Sequence, residues 1–357
     1  MFFYCAVFFI CLLFSFISEY SDNKSLKYIS NLYIFLVILF VSAFRVNVGT
    51  DYVGHYFLYE YIQNGEFSIE YKEPLFLLLC LIAQQTYLGF FFVIVMMTFI
   101  TFYPIYYISK KEKSSLIQIV YFLSFYLLSQ CLIRQFVSIS LGVLGSYFFL
   151  KKGNEKIGLL WCVIGALFHM SFWCYVIILF FSKYIKLNKL ITMLLILASF
   201  VIVVKINIFE KLGNVFSFIE YGRYLSSYSK HNASTKLGSG LGILLRYVQY
   251  IIIYCLTIKY VKPKLIFNIN LLFLVLCLFD FSSLVLNILI RLRFVFSPLY
   301  MLPFFFVSMP KKKNSILVLQ NYFVYFLIVS LFMFFIQKDS WGNVPYQSLL
   351  FTEMKYY

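Results

Sequence analysis

Charge is what this sequence has least of. Only 12% of its 357 residues are Asp, Glu, Lys or Arg, against roughly 25% in a soluble domain. Acids are scarcer than bases, 14 against 30, and there are 3 histidines. Hydrophobic residues make up 62%, and a water-soluble globule of this length has no way to hide that much apolar surface. Soluble enzymes and disordered chains are thereby excluded. The net charge of +16 sits in lysine clusters between apolar runs and forms no contiguous basic face, so no nucleic-acid partner is expected. No Cys-x-x-Cys occurs. Cys5, Cys11, Cys80, Cys131, Cys162, Cys174, Cys255 and Cys277 all lie in or beside apolar runs, which indicates neither a metal site nor a disulfide framework. The opening MFFYCAVFFICLLFSF has no basic leader and no small-residue cleavage site, so it is expected to remain as a first helix. Gly-rich phosphate loops, Asp-x-Asp pairs and fixed-period repeats are missing as well, and neither cofactor nor metal is expected.

What is present is a series of long apolar runs. They cover 2–18, 28–44, 88–109, 114–130, 133–150, 188–206, 241–258, 265–289, 294–309 and 315–336. Three more, 74–86, 157–168 and 170–182, are short. A helix of about 13 residues reaches only about 20 Å against a hydrocarbon core of about 30 Å. These read as half-helices or re-entrant pieces, which need protein or water around their broken backbone. The expectation is an all-α, polytopic integral membrane protein: one transmembrane domain over 1–357, with about ten full crossings plus the short helices.

With the N-terminus outside, 74–86 not crossing and 157–168 and 170–182 forming a dip that returns, the clusters Lys24/Lys27, Lys110–Lys113, Lys151–Lys156, Lys183–Lys189, Lys259–Lys264 and Lys311–Lys313 all fall on the inner side, as the positive-inside rule requires. The six arginines, Arg45, Arg134, Arg223, Arg246, Arg291 and Arg293, fall at or near the outer face, against that rule. Arginine grips phosphate and carboxylate in a fork, so an outward set points to an anionic ligand at the outer boundary. Two outer loops, 45–73 and 207–240, mix Tyr, Phe, Gly, Asn and acids. Their length marks them as functional, and their aromatic and amide groups suit sugar faces and hydroxyls.

The richest local pattern is Arg45-Val-Asn-Val-Gly-Thr-Asp-Tyr52, followed by Tyr56 and by Glu73-Pro74. Arg45 stands where helix 28–44 ends, Gly49 permits a turn, and Asp51 is placed to cap the next helix, either pairing with Arg45 or facing a ligand. Ile133-Arg134-Gln135 opens a helix carrying Ser138 and Ser140. Leu167-Phe168-His169-Met170-Ser171 lies at the turn between two short helices, and Arg291-x-Arg293 precedes Pro298 and Pro303. Asp280, an acid inside run 265–289, is costly there, and is either the structural partner of another polar side chain or part of the substrate pathway. It lies about 16 Å from Arg291 along a straight helix, too far to pair. His55 and His231 fall in loops and receive no role.

In their order along residues 28–310, these elements resemble the EpsG-like family of Wzy-type polymerases of exopolysaccharide and O-antigen. The sequence departs from that pattern at Met170, where a proline or small residue is expected. The resemblance implies a membrane glycosyltransferase that joins oligosaccharide repeat units carried on undecaprenyl diphosphate. It would act at the periplasmic face of a bacterial inner membrane, with lipid-linked donor and acceptor as substrates and a chain-length regulator and a flippase as partners. A lipid-linked oligosaccharide flippase or a glycan ligase is the alternative. Polymerisation on a diphosphate needs a cationic clamp, for which Arg134, Arg291 and Arg293 are the first candidates, with Arg45, Arg223, Gln135, Tyr52 and Tyr56 in support. It also needs a base or orienting acceptor for the incoming hydroxyl, which the residues leave open between His169, Asp51 and Glu73.

Overall fold

The structure is a computed structural model that describes residues 2–65, 73–206, 241–261, 265–282 and 289–306. Every regular element among the described residues is helical. The chain divides into two compact units: one holds the residues up to Phe172 and those from Phe304 on, the other Trp173–Pro303.

The first unit contains α1 (Phe2–Tyr20), α2 (Lys24–Ala43), α3 (Tyr52–Gln63), α4 (Pro74–Gln84), α5 (Phe90–Glu112), α6 (Leu116–Cys131), α7 (Ile133–Ser146) and α8 (Glu155–Phe168). A π turn, Tyr147–Lys152, prolongs α7, and a 3-10 turn, Met170–Phe172, follows α8. Among the described residues, three stretches, Lys24–Ala43, Phe90–Glu112 and Ile133–Lys152, have the length and apolarity to cross a membrane. Their surroundings differ. Only 39% of the α2 window is buried, against 89% for Ile133–Lys152, so α7 is the central helix of this unit. With 11 residues, α4 extends only about 16 Å. The segment 45–73, expected as a loop, includes α3.

Polar groups set the order of these helices. Asn23 caps α2 by accepting from Ser25 N (2.9 Å) and Leu26 N (3.3 Å). The Glu19 carboxylate at the end of α1 accepts from the Ser114 and Ser115 hydroxyls and from Leu116 N (2.9, 3.1 and 3.3 Å), so it caps α6 from a neighbouring helix. Ser140 on α7 bonds to the Thr101 carbonyl of α5, and the ends of these two helices meet where Glu112 pairs with Lys151 and Lys152. The two helices therefore run parallel. The lysines at 110–113 and 151–152 share one end of the unit, and Arg134 faces the other.

α7 and α8 touch backbone to backbone. A Cβ on Gly145 would lie 2.7 Å from Gly158 O, and one on Gly165 would lie 2.9 Å from Ser138 O. Such small residues are what lets membrane helices approach closely. α8 stops at His169, whose backbone is extended (φ −152°, ψ 116°), at the turn expected between runs 157–168 and 170–182.

The second unit contains α9 (Trp173–Phe181), α10 (Lys189–Ile206), α11 (Leu241–Tyr260), α12 (Ile266–Ser282), α13 (Leu289–Val295) and, up to Pro303, α14 (Pro298–Phe306). Asn270 bonds to Leu187 O (2.7 Å) and to the Tyr254 hydroxyl (2.8 Å), which ties α12 to the start of α10 and to α11. The runs expected at 265–289 and 294–309 are divided differently. The expected gap at 290–293 lies within α13, and a break falls at Phe296-Ser297, because Pro298 lacks an N–H and disfavours helix in the residue before it. Run 315–336 and loop 207–240 lie outside the described residues.

Candidate functional site

Glu73 stands at the N-cap position of α4 but makes no side-chain cap bond. Pro74 occupies the first helical position, where its missing N–H costs nothing. The carboxylate turns instead toward α7 and the end of α8. Oε2 forms an ion pair with Arg134 Nη1. Oε1 lies 2.6 Å from His169 Nδ1 and accepts from Met170 N at 3.4 Å. The three side chains are 10%, 24% and 18% exposed for Glu73, Arg134 and His169, so the cluster is largely shielded yet open at one edge. The ring of Phe76, one turn into α4, supports the guanidinium at 5.2 Å from Cζ, a contact worth about 0.5–2 kcal/mol.

The local logic is electrostatic. Arg134 lies in the first turn of α7, where the helix dipole already places positive charge, so a cation there calls for an anionic partner. Burial pushes the Glu73 carboxyl up. The hydrogen bond with His169, the charges of Arg134 and His169 and the Met170 amide outweigh it and hold the group below its ordinary range. An ionised carboxylate only accepts, so Nδ1 of His169 carries the hydrogen that faces Glu73 and Nε2 points away from it.

The loop before α3 is fixed from below. Arg45 is 2% exposed, and its Nη1 donates to Ser42 O at 2.6 Å. Asn47 and Gly49 have φ of 53° and 96°, the left-handed region that glycine adopts without strain. A Cβ on Gly49 would lie 2.5 Å from Gln130 O and 2.9 Å from Cys131 Cα, so the loop rests on the break between α6 and α7, just before Arg134. Gln130 reaches back to the Ser42 hydroxyl (3.2 Å). Asp51 holds the N-cap position of α3 without a side-chain cap bond, in contrast to the expected capping. It accepts from the Thr50 hydroxyl at 3.3 Å.

Tyr52 and Tyr56 share one face of α3 and meet Phe90 edge-on, with ring centres 5.6 and 5.4 Å away. Tyr56 also donates to Glu60 (2.5 Å). Gln135 is buried on the first turn of α7. His55, expected in an exposed loop, is buried on α3, its ring 6.4 Å from Phe76; α3's apolar face carries it inward.

In the second unit, Arg293 Nη1 lies 3.2 Å from Asp280 Oδ1, with Asp280 1% exposed. The Tyr300 hydroxyl donates to that of Tyr250 at 2.9 Å, beside the same pair. Arg223, His231 and the Arg291 and Arg246 side chains lie outside the described residues.

Glu73, Arg134 and His169, expected in separate roles, thus form one contact. Phe76 and the Met170 amide were missed; the first-turn position of Phe76 behind Glu73-Pro74 was the one available signal. Among the described residues there is no group of three or more His, Cys, Asp or Glu side chains able to hold a metal ion. No curated protein and no solved structure matches the chain. The sequence model of the EpsG family matches residues 28–348, a range that holds every member of this cluster and the loop beneath it, and the chain belongs to the EpsG family.

Proposed function

We propose that the protein polymerises oligosaccharide repeat units carried on undecaprenyl diphosphate, at the periplasmic face of a bacterial inner membrane it crosses about ten times. Membership of the EpsG family supports a role of the polysaccharide-polymerase type. The observation that carries the chemistry is the single carboxylate, Glu73, that binds both Arg134 and His169.

In this mechanism the incoming unit offers a sugar hydroxyl to His169 Nε2. The base takes the proton while the hydroxyl oxygen bonds to the anomeric carbon of the growing chain. The bond from that carbon to the donor's diphosphate breaks, and the lipid diphosphate leaves with the electron pair. Arg134 stabilises its developing charge, and fixed cations of this kind act most strongly in a water-poor site. Glu73 orients both groups: it sets the His169 tautomer and aims the guanidinium. Arg291 and Arg293 are also assigned to the lipid diphosphate, with Asp280 holding Arg293. Tyr52, Tyr56, Gln135 and Asp51 contact the glycan, while Arg45 and Arg223 assist at the outer boundary. A flippase supplies the lipid-linked unit, and a chain-length regulator sets the product.

The test is a complementation gel of surface polysaccharide in a deletion strain. Collapse to a single repeat, restored by wild type and not by Glu73→Gln, Arg134→Ala or His169→Ala, is the expected result. Complete loss of surface glycan on deletion overturns it in favour of a flippase or ligase.

A further inference from the structure

Phe172 ends the turn that follows His169, and it is fully buried. Its ring tip stands against the bare backbone of Gly142 on α7. A Cβ on Gly142 would lie 2.1 Å from the ring's Cζ and 3.0 and 3.1 Å from its two Cε atoms. No side chain fits there without moving the ring. The backbone around His169 is held from both sides: Phe172 N donates to His169 O (3.0 Å), and His169 N donates to Gly165 O (3.3 Å). Gly165 in turn rests on Ser138 of α7, and the Ser138 hydroxyl bonds to Arg134 O (3.2 Å). Residues 134, 138 and 142 follow one another at i, i+4 and i+8, so they share a face of α7. One helix face therefore carries the cation, the floor under the last turn of α8 and the notch that receives Phe172.

We propose that Phe172, seated in the Gly142 notch, is the positioning contact that sets His169 against Glu73. The proposal rests on the polymerase function above. His169 bonds through its backbone N and O to Gly165 O and Phe172 N. Its side chain meets Glu73 only if the turn carrying it is anchored, and the Phe172 ring is the anchor on the far side. A misplacement of about 1 Å costs on the order of 100-fold in rate, so a ring pushed out by one methyl group is enough.

The test uses full-length purified protein and an undecaprenyl-diphosphate-linked repeat unit, with kcat and KM measured separately. Gly142→Ala is expected to lower kcat about 100-fold while KM for the lipid-linked donor stays near wild type, because Arg134 does not move. Phe172→Leu removes the ring atoms that meet Gly142, so the double variant Gly142→Ala/Phe172→Leu is expected to regain activity to within about fivefold of Phe172→Leu alone, the signature of two residues coupled in one contact. A Gly142→Ala protein with wild-type kcat overturns the proposal. So does a loss that the second substitution leaves untouched in a protein that melts like wild type. If Gly142→Ala does not fold, Phe172→Leu decides alone: a kcat about tenfold down at unchanged KM supports the contact, and wild-type kcat overturns it. Wild-type protein that makes no polymer refutes the polymerase function itself, whereas active wild type with an equally active Gly142→Ala refutes only the positioning contact.

Discussion

Glu73 Oε1 and His169 Nδ1 lie 2.6 Å apart although 96 residues separate them in the chain. The other oxygen of the same carboxylate holds Arg134, 61 residues away. Two short helices that do not span on their own, α4 and α8, thus deliver an acid and a histidine to the first turn of α7, where a cation waits.

Glu73→Gln keeps the shape of the side chain and removes its charge. Its amide N–H₂ then competes with the Nδ1 hydrogen, so the histidine loses the bond that fixes its tautomer. General-base contributions run about 10²–10⁴-fold. A loss of polymerisation in that range, at normal protein level, is the expected result; chain lengths like wild type would remove Glu73 from the mechanism.

The same residue sets an acid limit on stability. The Glu73 carboxyl is depressed in the folded state, so its stabilisation is fully present above the unfolded value of about 4.3 and is lost as pH falls through the lower folded value. Melting temperatures of wild type and Glu73→Gln should differ by a constant amount above about pH 5 and converge below about pH 4. A gap that widens on acidification would contradict the assignment.

Arg134→Lys keeps the charge and loses the planar fork and its seat on Phe76. Because the two cations are not interchangeable at such a site, polymerisation should fall at least about tenfold, as a loss of one charge-assisted bond implies. Arg134→Ala leaves Glu73 without its guanidinium partner and should cost about 3–5 kcal/mol of stability, measurable by thermal unfolding in detergent.

Gly49 tests the loop beneath the site. Alanine there meets both a left-handed backbone and the Gln130 carbonyl, so Gly49→Ala should destabilise by about 2–4 kcal/mol. Gly153 has φ of 70° but nothing within 4 Å of a Cβ, so Gly153→Ala should cost only about 1–2 kcal/mol. Equal melting points for the two variants would show that the loop is not seated on the α6–α7 break.

Asp280 and Arg293 should behave as a unit. Asp280→Leu alone strands a cation at a site that is almost dry and should cost about 3–5 kcal/mol, whereas Asp280→Leu/Arg293→Leu should recover most of it. The double variant should fold and still make only short chains, since the proposed clamp has lost an arginine. Long chains from that variant would confine Arg293 to a structural role.

Much of this protein follows from local chemistry. Composition alone requires a membrane as solvent, because an apolar fraction this high has nowhere else to go. Run lengths pick out the pieces too short to cross, and α4, α8 and α9 are short. Motif spacing singles out Glu73, Arg134 and His169 as residues with chemistry to perform. It does not bring them together, since a pairing across 61 or 96 residues depends on which helix faces meet, and local periodicity carries no record of that. The decision lies in the α7–α8 contact, where small residues let the backbones close to a distance that only those facing positions define. Asp280 shows the same limit from the other side. It pairs with Arg293, a contact that the rise per residue of one straight helix forbids. Sequence decided the solvent, the short helices and the reactive groups; tertiary packing alone decided which of those groups touch, because contact is a property of paired surfaces and not of one strand of text.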